Sequence, residues 1–178
     1  MLFRSHANVF VDVIHDPMPE EPETWPVTIT YAKGKRYALG NRGVDPRTYT
    51  PKGYKYVLPV WAYVHSGITL AAAKTNPFSC PWDSGQSGWA YVTPPQMKLF
   101  YGDDKAAALA DLKVAVEGFS NYLQGEIYGW QLRVDDVCVD SCYGYCELEG
   151  VEDAARYALI YQANKTPLQY ELDLGETK

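Results

Sequence analysis

The chain lacks the features that assign most proteins at sight. None of its 178 residues belongs to an apolar run near the roughly 18 needed for a membrane helix. Met1-Leu2-Phe3-Arg4-Ser5-His6 is not followed by the apolar block of a signal peptide, so the host or producer cytoplasm is the expected setting. There is no internal repeat, no low-complexity tract and no long linker, and a single globular domain over 1–178 is expected. No phosphate-binding glycine loop and no Cys-x-x-Cys pair occurs, so no cofactor or metal is expected. Histidine is scarce, with three copies, and the four cysteines (Cys80, Cys138, Cys142, Cys146) read as thiols in a reducing compartment.

Apolar content, by contrast, is ample. At 47% hydrophobic and 14% aromatic, the chain can build a well-buried core. The net charge of -6 hides a strong polarity. Between 33 and 55 lie Lys33, Lys35, Arg36, Arg42, Arg47, Lys52 and Lys55 against the single acid Asp45. Between 135 and 153 lie Asp135, Asp136, Asp140, Glu147, Glu149, Glu152 and Asp153 with no lysine or arginine. Two such segments can steer partners of opposite charge, or simply solvate two faces.

Local pattern predicts an α+β fold, a mostly antiparallel sheet with one long and one shorter helix packed on it. Ala7–Ile14 and Val27–Tyr31 are β-branched and aromatic, hence strands, separated by a loop carrying Pro17, Pro19 and Pro22. Tyr56–Val64 is apolar along most of its length and predicts a strand buried on both faces, delivering His65 at its end. Trp89–Val92 reads as a further strand, and Arg36–Gly43 as a loop. Asp103-Asp104 opens the long helix, whose apolar face is Leu109, Leu112, Val116, Phe119 and Leu123 and whose stop is Gly125. Ile127–Val139 predicts one or two strands broken at Asp135-Asp136, and Val151–Ala163 the shorter helix, ending before Asn164 and Pro167.

Chemistry concentrates in two dense segments, Phe78–Gly88 and Asp140–Gly144, which read as loops. A thiol hydrolase would use Cys80 as nucleophile, His65 as base, Asp83 or Asp140 as the orienting carboxylate and Gln86 as oxyanion donor, because a thiol needs an imidazole to hold its thiolate. A zinc site would recruit Cys138, Cys142 and Cys146 with Cys80 or His65, against the three-residue gaps in a segment that looks extended. The structural reading makes His65, Asp83, Ser84, Gln86, Asp140 and Ser141 a buried hydrogen-bond network, with Cys80 and Cys142 filling the core.

Six segments occur in an order that resembles a known set: Arg36–Gly40, Tyr63–Thr69, Pro77–Gln86, Gly125–Gly129, Asp140–Gly144, and Trp25 beside the proline-rich loop. The chain is similar over about residues 8 to 146 to a family of small proteins encoded by bacteriophages, prophages and other mobile elements. That resemblance implies a phage accessory protein acting in the host cytoplasm. The leading expectation is therefore an inhibitor that binds a host defence or nucleic-acid-processing protein through Asp135, Asp136, Glu147, Glu149, Glu152 and Asp153. Direct nucleic-acid binding is the other binding reading, since Tyr31, Tyr37, Tyr49, Tyr54 and Tyr56 interleave with the bases of the 33–55 segment. No membrane partner is expected.

Overall fold

The computed structural model describes residues 2–6, 9–33, 36–45, 49, 51, 54 and 56–173, with side chains described between 9 and 165. Lys35, Arg47, Lys52 and Lys55 of the basic segment lie outside the described residues. Strands and helices combine in an α+β fold that divides into two compact units. One is Met1–Glu20 with Gly125–Lys178, and the other is Glu21–Gln124.

The first unit holds β1 (Leu2–His6) and β2 (Val9–His15). The second contributes β3 (Thr28–Ala32), β4 (Arg42–Val44), β5 (Val57–Val64), β6 (Ile68–Ala72), β7 (Ser84–Tyr91), α1 (Pro94–Gln96) and α2 (Lys105–Gln124). A π-helical turn, Met97–Tyr101, follows α1. The chain then returns to the first unit with β8 (Tyr128–Val134), β9 (Val137–Tyr145) and α3 (Leu148–Asp173).

In the first unit an antiparallel sheet runs in the order β1-β2-β8-β9. Alternate residues Val9, Val11 and Val13 of β2 are buried with Trp130 and Leu132 of β8 against Val151, Ala155 and Leu159 of α3, which recur every fourth position on one helix face. The helix is longer than its sequence pattern suggests, starting at Leu148 and passing Asn164 and Pro167. Proline holds φ near the helical value, so its cost is a lost donor and crowding of the preceding turn rather than an obligatory stop. β9 likewise runs past Val139 to Tyr145, so Asp140–Gly144 is strand and not loop.

In the second unit the sheet order is β4-β3-β7-β5-β6, antiparallel except for the β3–β4 pair. Leu58, Val60 and Ala62 of β5 are buried with Ile29, Leu70 and Ala90 beneath Ala108, Leu112, Val116 and Phe119 of α2. β5 alternates buried and half-buried positions, so the uniformly apolar run does not mark a strand buried on both faces. Pro59, Trp61 and Tyr63 cover the half-open face. α2 begins as its sequence pattern suggests. Asp104 accepts from the amides of Ala106 and Ala107 at 2.9 and 3.1 Å, and Gly125, at φ +75°, follows the last turn. β4 and β6 are strands within stretches that carry little periodic signal. β7 begins at Ser84, so the second half of the Phe78–Gly88 segment is also strand.

Candidate functional site

The Phe78–Gly88 segment is built around the start of β7. Asn76 accepts from the Phe78 amide at 3.0 Å and donates to Ser84 Oγ at 2.9 Å, and Ser84 Oγ donates to the Cys80 carbonyl at 2.5 Å. Those bonds close the loop on itself, and Pro81–Asp83 forms the turn at its tip. Asn76 was not among the expected site residues, although the Asn76-Pro77 pair is a turn signal. The Val64 amide donates to the Asp83 carbonyl at 2.8 Å, which anchors the turn to the end of β5.

That anchoring brings three of the expected residues together. His65 Nδ1 lies 3.2 Å from Asp83 Oδ2, and Cys80 Sγ donates to the same oxygen at 3.5 Å. Thiol and imidazole therefore meet on one carboxylate oxygen, an arrangement that ties both loops to Asp83. His65 also lies 6.2 Å from the ring of Tyr63, near parallel to it. Gln86 is engaged by its own strand, its Nε2 donating to the Gly88 carbonyl at 3.1 Å. Asp140 belongs to the other unit, where it accepts from the Ser141 amide at 2.9 Å.

The network is not a buried one. The His65 side chain is 65% exposed, and Gln86, Asp140 and Ser141 are exposed as well. Cys142 is also exposed, so it does not fill a core, whereas Cys80 is half-buried. The polar residues instead make short local bonds, which suffices where water can reach the remaining valences. All four cysteines are free thiols. Among the described residues no group of three His, Cys, Asp or Glu side chains is placed to hold a metal ion. Cys138 and Cys142 sit four residues apart on β9, about 13 Å along a strand, which no single ion can bridge. Burial, with the charge of Glu147 second, pushes the Cys146 thiol up from its ordinary range.

No family model, curated protein or solved structure matches the chain.

An open cavity of about 390 Å³ lies beside the turn, lined by Tyr31, Arg36, Tyr37, Trp82, Asp83 and Gln86 over Ala62, Val64 and Gly85. Its origin is a fork in the sheet. β3 pairs with β7 only at Thr28–Tyr91 and Ile29–Ala90, and its Thr30–Ala32 end is paired with β4 on its other edge. β7 stays with β5 through Gln86, Gly85 and Ser84. The fork is pinned where the buried Thr30 hydroxyl accepts from the Trp89 amide at 3.0 Å and donates to its carbonyl at 3.2 Å. Trp82, at the tip of the turn, is 91% exposed, an unusual state for the largest side chain.

The tyrosines of the basic segment divide accordingly. Tyr31 and Tyr37 line the cavity, while Tyr54 stacks on Tyr91 at 4.8 Å and Tyr49 lies 6.3 Å from that ring. Tyr56 packs against the core. Burial, followed by the neighbouring Tyr91, raises the Tyr49 hydroxyl well above the usual phenol range.

In the first unit the acids occupy β9 and its flanks. Asp135 and Asp136 form the β8–β9 turn at φ +50° and +65°, Asp140 is mid-strand, and Glu147 follows the strand. Glu149, Glu152 and Asp153 begin α3, with Glu152 3.9 Å from Arg156. The turn acids and Glu147 are separated by a nine-residue strand, roughly 30 Å, which is several screening lengths at physiological salt. They act as local charges rather than as one concentrated field.

Proposed function

We propose that this chain works by binding, as an accessory protein of mobile-element type that docks on a host defence or nucleic-acid-processing protein in the host cytoplasm. The observation that carries the reading is β9. It is the last strand of its sheet and is exposed at every position from Val137 to Gly144. An open strand edge offers a row of backbone donors and acceptors, and a partner strand added there gains main-chain hydrogen bonds. Val137 and Val139, 64% and 51% exposed, supply apolar contact, and Asp135, Asp136, Asp140 and Glu147 select a partner edge of opposite charge. The spread of the acids favours this edge pairing over imitation of a phosphate backbone. No helix among the described residues is long and apolar enough to cross a membrane.

Phage growth under a panel of host defence systems tests the proposal. Val139→Lys places a charge on the edge, and Asp135→Asn with Asp136→Asn removes two charges while keeping residues that tolerate positive φ. Both variants should melt like the parent and lose rescue. A hydrolase centred on Cys80 is the second reading, favoured by the convergence of Cys80, His65 and Asp83. Rescue that survives both β9 variants but disappears in a stably folded Cys80→Ala protein establishes that reading instead.

A further inference from the structure

We infer that the cavity at the β3–β7 fork is a binding site for a nucleotide: one base between aromatic rings and one phosphate at Arg36. This site lies in the second unit and does not depend on docking through β9.

Four observations converge. The first is size, because about 390 Å³ sits at the lower end of ligand pockets, which run roughly from 300 to 1,000 Å³, and so suits one nucleotide rather than a longer chain. The second is the lining. Tyr31, Tyr37 and Trp82 line a concave space, and a large aromatic such as Trp82 left 91% exposed on an anchored turn is a ready stacking platform. The third is charge placement. The Arg36 guanidinium lies 5.3 Å from the Tyr37 ring centroid, so it is held over a wall of the cavity and can meet a phosphate beside the stacked base. The fourth is the fork, since β3 leaves β7 where Gly85, Gln86 and Ser87 line the opening, placing amide, hydroxyl and backbone groups at the edge of a planar ligand.

The same lining predicts selectivity. Asp83 is a hydrogen-bond acceptor in the cavity wall and would repel a phosphate, so the phosphate belongs with Arg36 and the base edge with Asp83. Bases with an exocyclic amino group (adenine, cytosine, guanine) can donate it to that carboxylate, whereas uracil offers only a ring N3–H flanked by two carbonyl oxygens that the carboxylate repels.

Titration of the whole protein with AMP, CMP, GMP and UMP, followed by tryptophan fluorescence and calorimetry, tests the site, with a single-stranded DNA octamer as a parallel arm. The expected result is saturable binding, UMP weakest. Trp82→Ala should weaken it about tenfold or more, as loss of one base–aromatic stack does. Gly85→Leu should abolish it by filling the cavity, because nothing lies within 4 Å of a Cβ added at Gly85 and the fold has room for it. Binding of the octamer but of no mononucleotide, lost in both variants, assigns the same base site to a strand as its source. Absence of binding to any probe at millimolar concentration, or affinities unchanged in Trp82→Ala and Gly85→Leu proteins with parental melting curves, overturns the inference.

Discussion

Two glycines of β7, three residues apart, should respond oppositely to the same added methyl. At Gly88 a Cβ would stand 1.7 Å from the Thr30 carbonyl oxygen and 2.6 Å from its carbon, both backbone atoms. To bring the first contact to 3.0 Å the strands must part by about 1.3 Å, in an interior packed too densely to yield at no cost. That displacement would break the two Thr30–Trp89 hydrogen bonds, about 1 kcal/mol each, and add overpacking strain of roughly 1–3 kcal/mol. Gly88→Ala is therefore expected to lose about 3–5 kcal/mol. At Gly85 the new methyl meets nothing within 4 Å, and restricting the unfolded chain should gain about 0.4–1 kcal/mol. Urea unfolding followed by tryptophan fluorescence measures both, since Trp25, Trp61, Trp82 and Trp89 all lie in the same unit as these glycines. With a slope of roughly 1–3 kcal/mol per molar urea, the two midpoints should separate by about 1 M or more. Coincident midpoints would refute the close β3–β7 approach and, with it, the fork that opens the cavity.

Alkaline pH should expose a second effect. Burial, followed by its bond to Asp111 at 2.9 Å, pushes the Tyr101 hydroxyl up to about 12 from 10.0. The unfolded chain releases this proton first, so Tyr101 contributes its full stabilisation below pH 10 and loses it as pH rises toward 12. Urea midpoints measured across that window should fall more steeply for the parent than for Tyr101→Phe, and equal slopes would contradict the assignment. Thiol labelling of the native protein should modify the exposed Cys138 and Cys142 well before Cys146, whose thiol is pushed up by burial and by Glu147; mass mapping of a short pulse that found Cys146 first would contradict the placement of β9.

What the sequence made legible was what local physics determines. α2 carries its cap at Asp104, its apolar face and its stop at Gly125 within one stretch, and the fold follows each signal. β9 defeats the same reasoning because it is exposed from Val137 to Gly144, so burial imposes no alternation there, and Asp140, Ser141 and Gly144 read as loop. The first half of the Phe78–Gly88 segment is equally local. Asn76, Ser84 and the Cys80 carbonyl sit within eight residues, and their bonds make a turn that suits its composition. The convergence of His65, Cys80 and Asp83 follows from the pairing of β5 with β7, which sets the end of one strand beside the start of the other. The cavity is of another kind. Its walls come from β3, the stretch before β4, and the Trp82 turn, and its space exists because β3 stops pairing with β7 after Ile29 while β5 stays with β7 to Ser84. A strand that parts from one neighbour while keeping the other is a property of three strands at once, so no window of sequence contains it. Tyr31, Arg36 and Tyr37 are visible in the chain as an aromatic and basic mixture, and only the fork separates them from Tyr49, Tyr54 and Tyr56, which turn inward to Tyr91 and the core. Chemistry legible as composition thus becomes a site where a non-local pairing event supplies the shape.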